Sequence, residues 1–235
     1  MSPIHLSKRL AAVAQFVPQD SIVADIGSDH AYLPIWLTEQ NRLKSAIAGE
    51  VVAGPFESTQ THVNQWHLQQ QIQVRLGDGV EVLNPEEDHV SCIVIAGMGG
   101  LLITEILTRG LDHLNGHERL VLQPNIMEST VREWLNAHDY AIVDEAIVAE
   151  DGHIYEVIVG EPQPSVAPLS ESDRVFGPVL RQTQPADFQL KWGTMLKKRR
   201  HLLQQLQNAQ VVPTDKVKAV EHEIALIEEM KTWEN

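Results

Sequence analysis

The first 160 residues alternate apolar, β-branched runs with helix-like segments, and only the short segment Asp151-Gly152-His153 connects the last two apolar runs. Such alternation is typical of βαβ units and a mostly parallel sheet. Three residues are too few for a crossover helix, so the last two runs must form an antiparallel hairpin. The sequence therefore predicts a Rossmann-like α/β domain whose seven-stranded, mostly parallel sheet ends in a C-terminal antiparallel hairpin. The predicted strands are 21–24, 45–49, 73–76, 91–96, 119–123, 141–150 and 155–160.

A second, smaller domain of helices is predicted to follow the sheet. Residues 161–175 are rich in Pro and Ser and are predicted to form a linker. Beyond them, apolar residues recur at near-heptad spacing on both sides of Pro213, which indicates two antiparallel helices. We therefore expect a ligand-binding domain at 1–160 and a small α-helical coiled-coil hairpin at 176–235. Within the first domain, helices are predicted at 6–16, 55–69, 101–108 and 128–137.

Charge is unevenly distributed along the chain. Residues 1–160 contain 8 Lys and Arg against 22 Asp and Glu, whereas residues 161–235 contain ten of each. An acidic chain lacks the broad basic surface that is typical of nucleic-acid-binding proteins. Any contact with RNA must therefore use local basic patches, of which Lys8-Arg9 and Lys197-Lys198-Arg199-Arg200 are the candidates. A run of charge on a helix is also typical of a solvated surface, and that alternative stays open.

Other compartments and chemistries are disfavoured by the composition. No apolar run reaches the roughly 20 residues that span a bilayer, and the first residues do not resemble a signal peptide. We therefore expect a cytoplasmic protein without a membrane contact. The single cysteine, Cys92, lies in an apolar run and is predicted to be buried in a strand. The 11 histidines lack metal-binding spacing, so no metal is predicted.

A glycine-containing turn follows the first predicted strand. Gly27 allows the backbone to turn sharply, and the carboxylates of Asp25 and Asp29 flank it. Dinucleotide-binding enzymes instead use three glycines to hold a diphosphate at a helix N-terminus, and two carboxylates would repel that group. S-adenosylmethionine carries a sulfonium and an ammonium, which these acids would attract. An ordinary strand-to-helix turn is the alternative explanation.

Acids and small residues also follow the next three strands, at the edge where open α/β sheets bind ligands. Glu50 is placed to accept both hydroxyls of a ribose, and Asp78, beside Gly79, to accept the exocyclic amine of adenine. Ala96, Gly97 and Met98 end the fourth strand, where Met98 would form a wall for the cofactor or the target base. Each acid alone is more often a helix cap, but three in succession favour a cofactor site.

Taken together, these motifs resemble those of the bacterial tRNA adenine-22 N1-methyltransferases, the TrmK family. The segments that carry the resemblance are 6–10 (LSKRL), 25–34 (DIGSDHAYLP), 48–50 (AGE), 54–56 (GPF), 77–79 (GDG), 96–100 (AGMGG) and 122–125 (LQPN). The resemblance implies a class I Rossmann-like methyltransferase domain followed by a helical coiled-coil domain. It also implies S-adenosylmethionine as methyl donor and adenosine 22 of tRNA as acceptor. A seven-stranded sheet that ends in an antiparallel hairpin is the topology of class I methyltransferases.

Four residues are candidates for a role at the acceptor base. Adenine N1 carries a lone pair and no proton, so its methylation needs positioning rather than a base. Asp29 is the first candidate, because a carboxylate near the N6 amine would stabilise the cation that forms. Its alternative role is to cap the helix predicted to begin near Ala31. His30, Tyr32 and Asn125 are candidates for orienting or stacking on the base, with helix-surface or core roles as the alternatives for His30 and Tyr32.

Other functions stay open on the residues alone. They are a methyltransferase for another RNA base or a small molecule, a non-catalytic RNA-binding protein that keeps the fold, and a Rossmann oxidoreductase. Enzymes that methylate exocyclic amines commonly carry an Asn/Asp-Pro-Pro-aromatic motif after the fourth strand, where this chain has 96–100 (AGMGG). We expect tRNA as the partner and a monomeric protein.

Overall fold

A computed structural model describes residues 4–209 and 211–231 of the chain. The described residues form two compact units, one that ends at Leu169 and one that begins at Ser170. The predicted linker, 161–175, contains the last two residues of a strand, an irregular stretch and most of a short helix.

The first unit contains a seven-stranded sheet with the order β3-β2-β1-β4-β5-β7-β6. Strands β1 to β5 are parallel, whereas β7 is antiparallel to both β5 and β6, which confirms the predicted fold class and its terminal hairpin. The hairpin turn is one residue shorter than predicted, because Asp151 and Gly152 both adopt positive φ, as a two-residue type I′ turn requires. The strands are β1 Ser21–Ile26, β2 Leu43–Glu50, β3 Ile72–Leu76, β4 Cys92–Met98, β5 Arg119–Pro124, β6 Tyr140–Glu150 and β7 His153–Pro162.

Helices cover both faces of this sheet, which explains why its central strands carry apolar residues on both faces. In β4, Cys92 and Val94 face one hydrophobic cluster, and Ile93 and Ile95 face the other. Burial raises the pKa of the Cys92 thiol to about 12, consistent with a core residue rather than a nucleophile. The helices are α1 Lys8–Gln15, α2 Tyr32–Glu39, α3 Ala53–Gln65, α4 Gly100–Arg109 and α5 Glu128–Ala137, with short 3₁₀ turns at Gly79–Val82 and Leu111–His113.

The second unit consists of helices, of which two are long. Buried apolar residues of α8, such as Phe188 and Trp192, and of α9, such as Ile227, form the core of this unit. Two short helices that the sequence pattern did not predict precede them. The helices are α6 Glu171–Phe176, α7 Leu180–Thr183, α8 Ala186–Gln207 and α9 Thr214–Met230.

Candidate active site

The carboxyl ends of β1, β2 and β4 meet at Gly27. Its φ of +72° is one that L side chains rarely adopt, and a Cβ there would lie 2.3 Å from Met98 Cε. The Gly27 amide donates to the Gly49 carbonyl at 2.9 Å, which holds the turn against β2. Glycine is therefore required at this position by both the backbone conformation and the closeness of Met98.

Two buried carboxylates, Asp25 and Glu50, lie at this edge of the sheet. Asp25 accepts a hydrogen bond from Ser28 Oγ at 2.8 Å, and Glu50 accepts one from Thr59 Oγ1 at 3.0 Å. Burial raises the pKa of Asp25 to about 7, and the negative charges of Glu50 and Asp29 also raise it. Within residues 4–209 and 211–231, neither carboxylate forms an ion pair. This arrangement suits a ligand that brings its own positive charge.

A pocket of about 120 Å³ lies beside these acids. Gly79, whose φ is +60°, packs so closely on Ile106 that a Cβ would approach that side chain to 2.7 Å. Asp78 forms a bidentate ion pair with Arg109, at 3.0 and 3.1 Å. The pocket is lined by Ile26, Gly27, Gly49, Val51, Gly77, Asp78, Gly79, Met98, Leu102, Ile106 and Arg109. Arg109 was not predicted as a site residue, because it lies 31 positions from its partner.

The turn after Gly27 has an unusual backbone. Asp29, His30 and Ala31 have φ values of +43°, +67° and +56°, a conformation that is strained for residues with side chains. Helix α2 begins at Tyr32, and its N-cap, Ala31, makes no side-chain capping bond. The alternative role of Asp29 as a helix cap is therefore wrong. Its side chain is 90% exposed beside the pocket-forming turn.

Helix α3 holds this strained turn in place. His62 Nδ1 donates to the His30 carbonyl at 2.6 Å, and His62 Nε2 accepts from Trp66 Nε1 at 3.2 Å, so the ring is neutral with its proton on Nδ1. Ser58 Oγ lies 3.0 Å from His30 Nδ1. The Tyr32 ring lies 5.1 Å from that of His62, edge to face. Ser58 and His62 were not predicted from the sequence, although their i, i+4 spacing puts them on one helix face.

Asn125 directly follows β5 and lies against the end of β4. Its amide Nδ2 donates to the Gly97 carbonyl at 2.8 Å, and its backbone N–H donates to the Met98 carbonyl at 2.7 Å. The buried Gln123 Oε1 accepts from the Gly97 amide at 3.0 Å and from Arg9 Nη1 at 2.6 Å. These contacts join the ends of β4 and β5 to helix α1.

The N-terminal basic pair has internal partners. Arg9 binds Gln123 and lies 5.6 Å from the centre of the Tyr155 ring, which is within cation–π range. The Lys8 backbone N–H donates to Glu150 Oε1 at 2.5 Å, whereas the Lys8 side chain is exposed. Arg9 therefore has a structural function in the folded unit, and its contact with phosphate stays a prediction.

Comparison with known proteins decides which class of site this is. The family model of the tRNA (adenine(22)-N(1))-methyltransferases, TrmK, matches residues 23–229. This chain belongs to the TrmK family. The tRNA (adenine(22)-N(1))-methyltransferase of Bacillus subtilis strain 168 is 42% identical over 225 residues, which cover 94% of each chain. Family membership argues against the Rossmann oxidoreductase alternative.

Solved TrmK-like structures share the whole fold. A Streptococcus pneumoniae protein in complex with S-adenosyl-L-methionine is 43% identical, with a TM-score of 0.87 over 96% of this chain and 99% of that chain. The TrmK of M. capricolum in complex with S-adenosyl-homocysteine is 27% identical, with a TM-score of 0.84 over 95% of this chain and 96% of that chain.

The predicted basic run of this TrmK family member lies on α8 in the second unit. Arg199 pairs with Glu223, and Arg200 Nη2 pairs with Glu228 Oε1 at 2.6 Å. Lys197 and Lys198 are exposed. Half of the run is therefore engaged with α9, so its two lysines are the better candidates for contact with phosphate.

Over the part of the chain that the structure describes, no helix has both the length and the apolar character of a membrane span. Over the same residues, no group of three or more His, Cys, Asp and Glu side chains is arranged to hold a metal ion.

Proposed function

We propose that this chain transfers the methyl group of S-adenosylmethionine to N1 of adenosine 22 in tRNA. The observation that carries the proposal is the pair of buried carboxylates, Asp25 and Glu50, without a cationic partner among the described residues at the ligand-binding edge of a TrmK-family sheet. Related proteins that carry this activity in their names, or that were crystallised with the methyl donor or its product, support it.

The residues at the sheet edge fit the donor group by group. Asp25 would attract the ammonium of its amino-acid part, and Glu50 would accept hydrogen bonds from the ribose hydroxyls. Asp78, held in place by Arg109, would accept a hydrogen bond from the exocyclic amine of the adenine of S-adenosylmethionine. Met98, which packs so closely on Gly27 that a Cβ there would clash with it, would form a wall for the donor or for the target base. When bound, S-adenosylmethionine supplies an electrophilic methyl group.

At the acceptor, the protein has to position the base rather than remove a proton. The N1 lone pair is free, and holding it in a near-attack geometry lowers the barrier by up to roughly 7–11 kcal/mol. Methylation leaves a positive charge that is delocalised onto N6, and the exposed Asp29 carboxylate would accept a hydrogen bond from that amine. His30, Tyr32 and Asn125 are the residues that would orient the base.

Binding of the tRNA itself would use the basic patches. Lys8, Arg9, Lys197, Lys198, Arg199 and Arg200 are the proposed phosphate contacts. We also propose that the protein acts as a monomer in the cytoplasm.

Mass mapping of an unmodified tRNA transcript tests this function. After incubation with isotope-labelled donor, the label should appear on one nucleotide, adenosine 22, as a base methylated at N1. A transcript with guanosine at position 22 is the matched control and should gain no label. Label at another nucleotide would show that the acceptor is not adenosine 22. Binding of tRNA without methyl transfer would favour the non-catalytic alternative.

A further inference from the structure

Two exposed apolar side chains lie beside the acceptor side of the site. Ile126 and Met127 form the turn between β5 and α5, directly after Asn125. Their side chains are 62% and 46% exposed. Isolated exposed apolar residues are common in proteins, but two adjacent ones next to a reaction site need an explanation.

This turn is held rigidly against the start of α4. The Gly100 amide donates to the Ile126 carbonyl at 2.9 Å, and a Cβ on Gly100 would lie 2.3 Å from the Met127 carbonyl oxygen. The backbone N–H of Asn125, the residue before Ile126, donates a hydrogen bond to the Met98 carbonyl. The side chains of Ile126 and Met127 are therefore presented from a fixed backbone and not from a flexible loop.

The backbone of the turn is also strained. Met127 has a φ of +63°, a left-handed conformation that L residues with a side chain rarely adopt. Strain of this kind persists where the surrounding structure enforces it, and it occurs often at functional sites. The hydrogen bonds and the close packing on Gly100 are what enforce it here.

The proposed reaction explains why such a feature would lie here. Adenine N1 is on the Watson–Crick edge, so a base that is paired or stacked must leave its stack before it can react. Proteins that unstack bases often insert apolar side chains into the gap, because these fill the space without requiring hydrogen bonds. A side chain that does this must be apolar, exposed, rigidly held and adjacent to the pocket.

We propose that Ile126 and Met127 form a wedge that enters the tRNA stack and fills the space left by adenosine 22. The inference rests on the proposed function and adds to it the residues that expose the base. The Ile126–Met127 wedge would stabilise the extruded base, while Asp29 and Asn125 would act on it.

Fluorescence of 2-aminopurine in place of adenosine 22 tests the wedge directly. Binding of the wild-type protein should unstack this base and raise its fluorescence. The double variant Ile126→Ala/Met127→Ala should lose most of that rise, and its kcat on normal tRNA should fall about tenfold or more. Its affinity for S-adenosylmethionine should stay within about twofold of wild type, which also shows that the variant is folded.

Two controls separate a wedge from a general defect. Val143→Ala, which also truncates an exposed apolar residue, 41% exposed on β6, should behave as wild type in both assays. Ile126→Leu keeps the apolar volume and should retain most of the activity.

A short, unstructured RNA with the sequence around adenosine 22 provides a further readout. Its target base needs no extrusion from a folded stack, so the ratio of wild-type to double-variant rates should fall towards one. An equal defect on this RNA and on folded tRNA would overturn the wedge.

Failure of the wedge can be distinguished from failure of the proposed function. If the wild-type protein does not methylate adenosine 22, the proposed function fails. If it does, and the double variant matches it in fluorescence and rate, only the wedge is overturned.

Discussion

Two pairs of buried carboxylates in the first unit differ in what neutralises them. Glu145 and Glu156 share the guanidinium of Arg132, at 2.7 and 2.5 Å, and all three side chains are fully buried. Asp25 and Glu50 are buried to a similar degree, but their side-chain hydrogen bonds come from the hydroxyls of Ser28 and Thr59.

The pKa values follow this difference. Burial alone would lower the pKa of Arg132, but the charges of Glu156 and Glu145 outweigh burial and raise it, so Arg132 stays positively charged. Burial raises the pKa of Asp25 to about 7 because no arginine opposes that effect. Glu145 and Glu156 are therefore part of the structure, whereas Asp25, buried with a raised pKa at the ligand-binding edge of the sheet, is a candidate for binding a cationic ligand.

Removing Arg132, the partner of Glu145 and Glu156, should have the largest effect of the changes considered, and it should act on stability. Arg132→Met removes the arginine that two buried carboxylates share, and we expect a loss of about 3–5 kcal/mol in the free energy of unfolding. Denaturant titration measures this loss. Adding Glu145→Leu and Glu156→Leu should restore much of the stability. A stable single variant would show that the cluster is not held by its charges.

Asp29, an exposed acid, differs from both buried pairs and is proposed to act on the acceptor base. Asp29→Ala should lower kcat about 10²–10³-fold, because it removes the group that stabilises charge on the target base. Calorimetry should show nearly unchanged affinity for S-adenosylmethionine. A fully active variant would refute the proposed role of Asp29.

Neutralising Asp25, which has no arginine partner in the described part of the chain, should weaken ligand binding and leave folding intact. Asp25→Asn should weaken S-adenosylmethionine binding about 10- to 100-fold at pH 8, as expected for loss of a charge-assisted hydrogen bond. Its thermal stability should be equal to or above that of wild type. Asp88→Asn is the matched control, because Asp88 pairs with Arg75 and should affect stability only. Tight binding by Asp25→Asn would contradict the ligand assignment.

The raised pKa of Asp25 gives binding a pH dependence with a definite sign. Asp25 is ionised above about pH 7, so affinity for the cationic donor should rise from pH 5.5 to pH 7 by at most about tenfold per pH unit. The ligand-free protein should show the opposite trend. Its folded state retains the Asp25 proton at a pH where the unfolded chain has lost it, so this contribution to stability falls as the pH rises from about 4 to about 7. Both trends should be absent in Asp25→Asn.

The smallest effect is expected from the second unit. Lys197→Ala/Lys198→Ala should weaken tRNA binding several-fold and reduce its salt dependence by about one unit of slope for each phosphate that is no longer neutralised. Arg200→Gln should have less effect, because Arg200 is already paired with Glu228. Filter binding at several salt concentrations measures both quantities, and unchanged binding would remove these lysines from the proposed interface.

Much of the fold could be predicted because it depends on local pattern. The seven apolar runs and the short connection after Glu150 predict the strands and the terminal hairpin, since both are set by residue period and loop length. The position of Asp25, Gly27 and Glu50 at one edge of the sheet could also be predicted, because the carboxyl ends of parallel strands always lie together.

Contacts between residues far apart in the chain could not be predicted in this way. Arg132 reaches Glu145 and Glu156 across different elements, and Arg109 reaches Asp78, although nothing in their spacing indicates a pair. His62 binds a carbonyl 32 residues away, in a turn whose left-handed backbone no sequence pattern indicated.

The sequence by itself determined the fold class and the family, because residue period, turn chemistry and local motifs encode them. Only the tertiary structure decided which buried acids pair with an arginine and which accept hydrogen bonds from hydroxyl groups. Neutralisation depends on distances of a few ångströms between side chains that the fold, and not the order of residues, brings together.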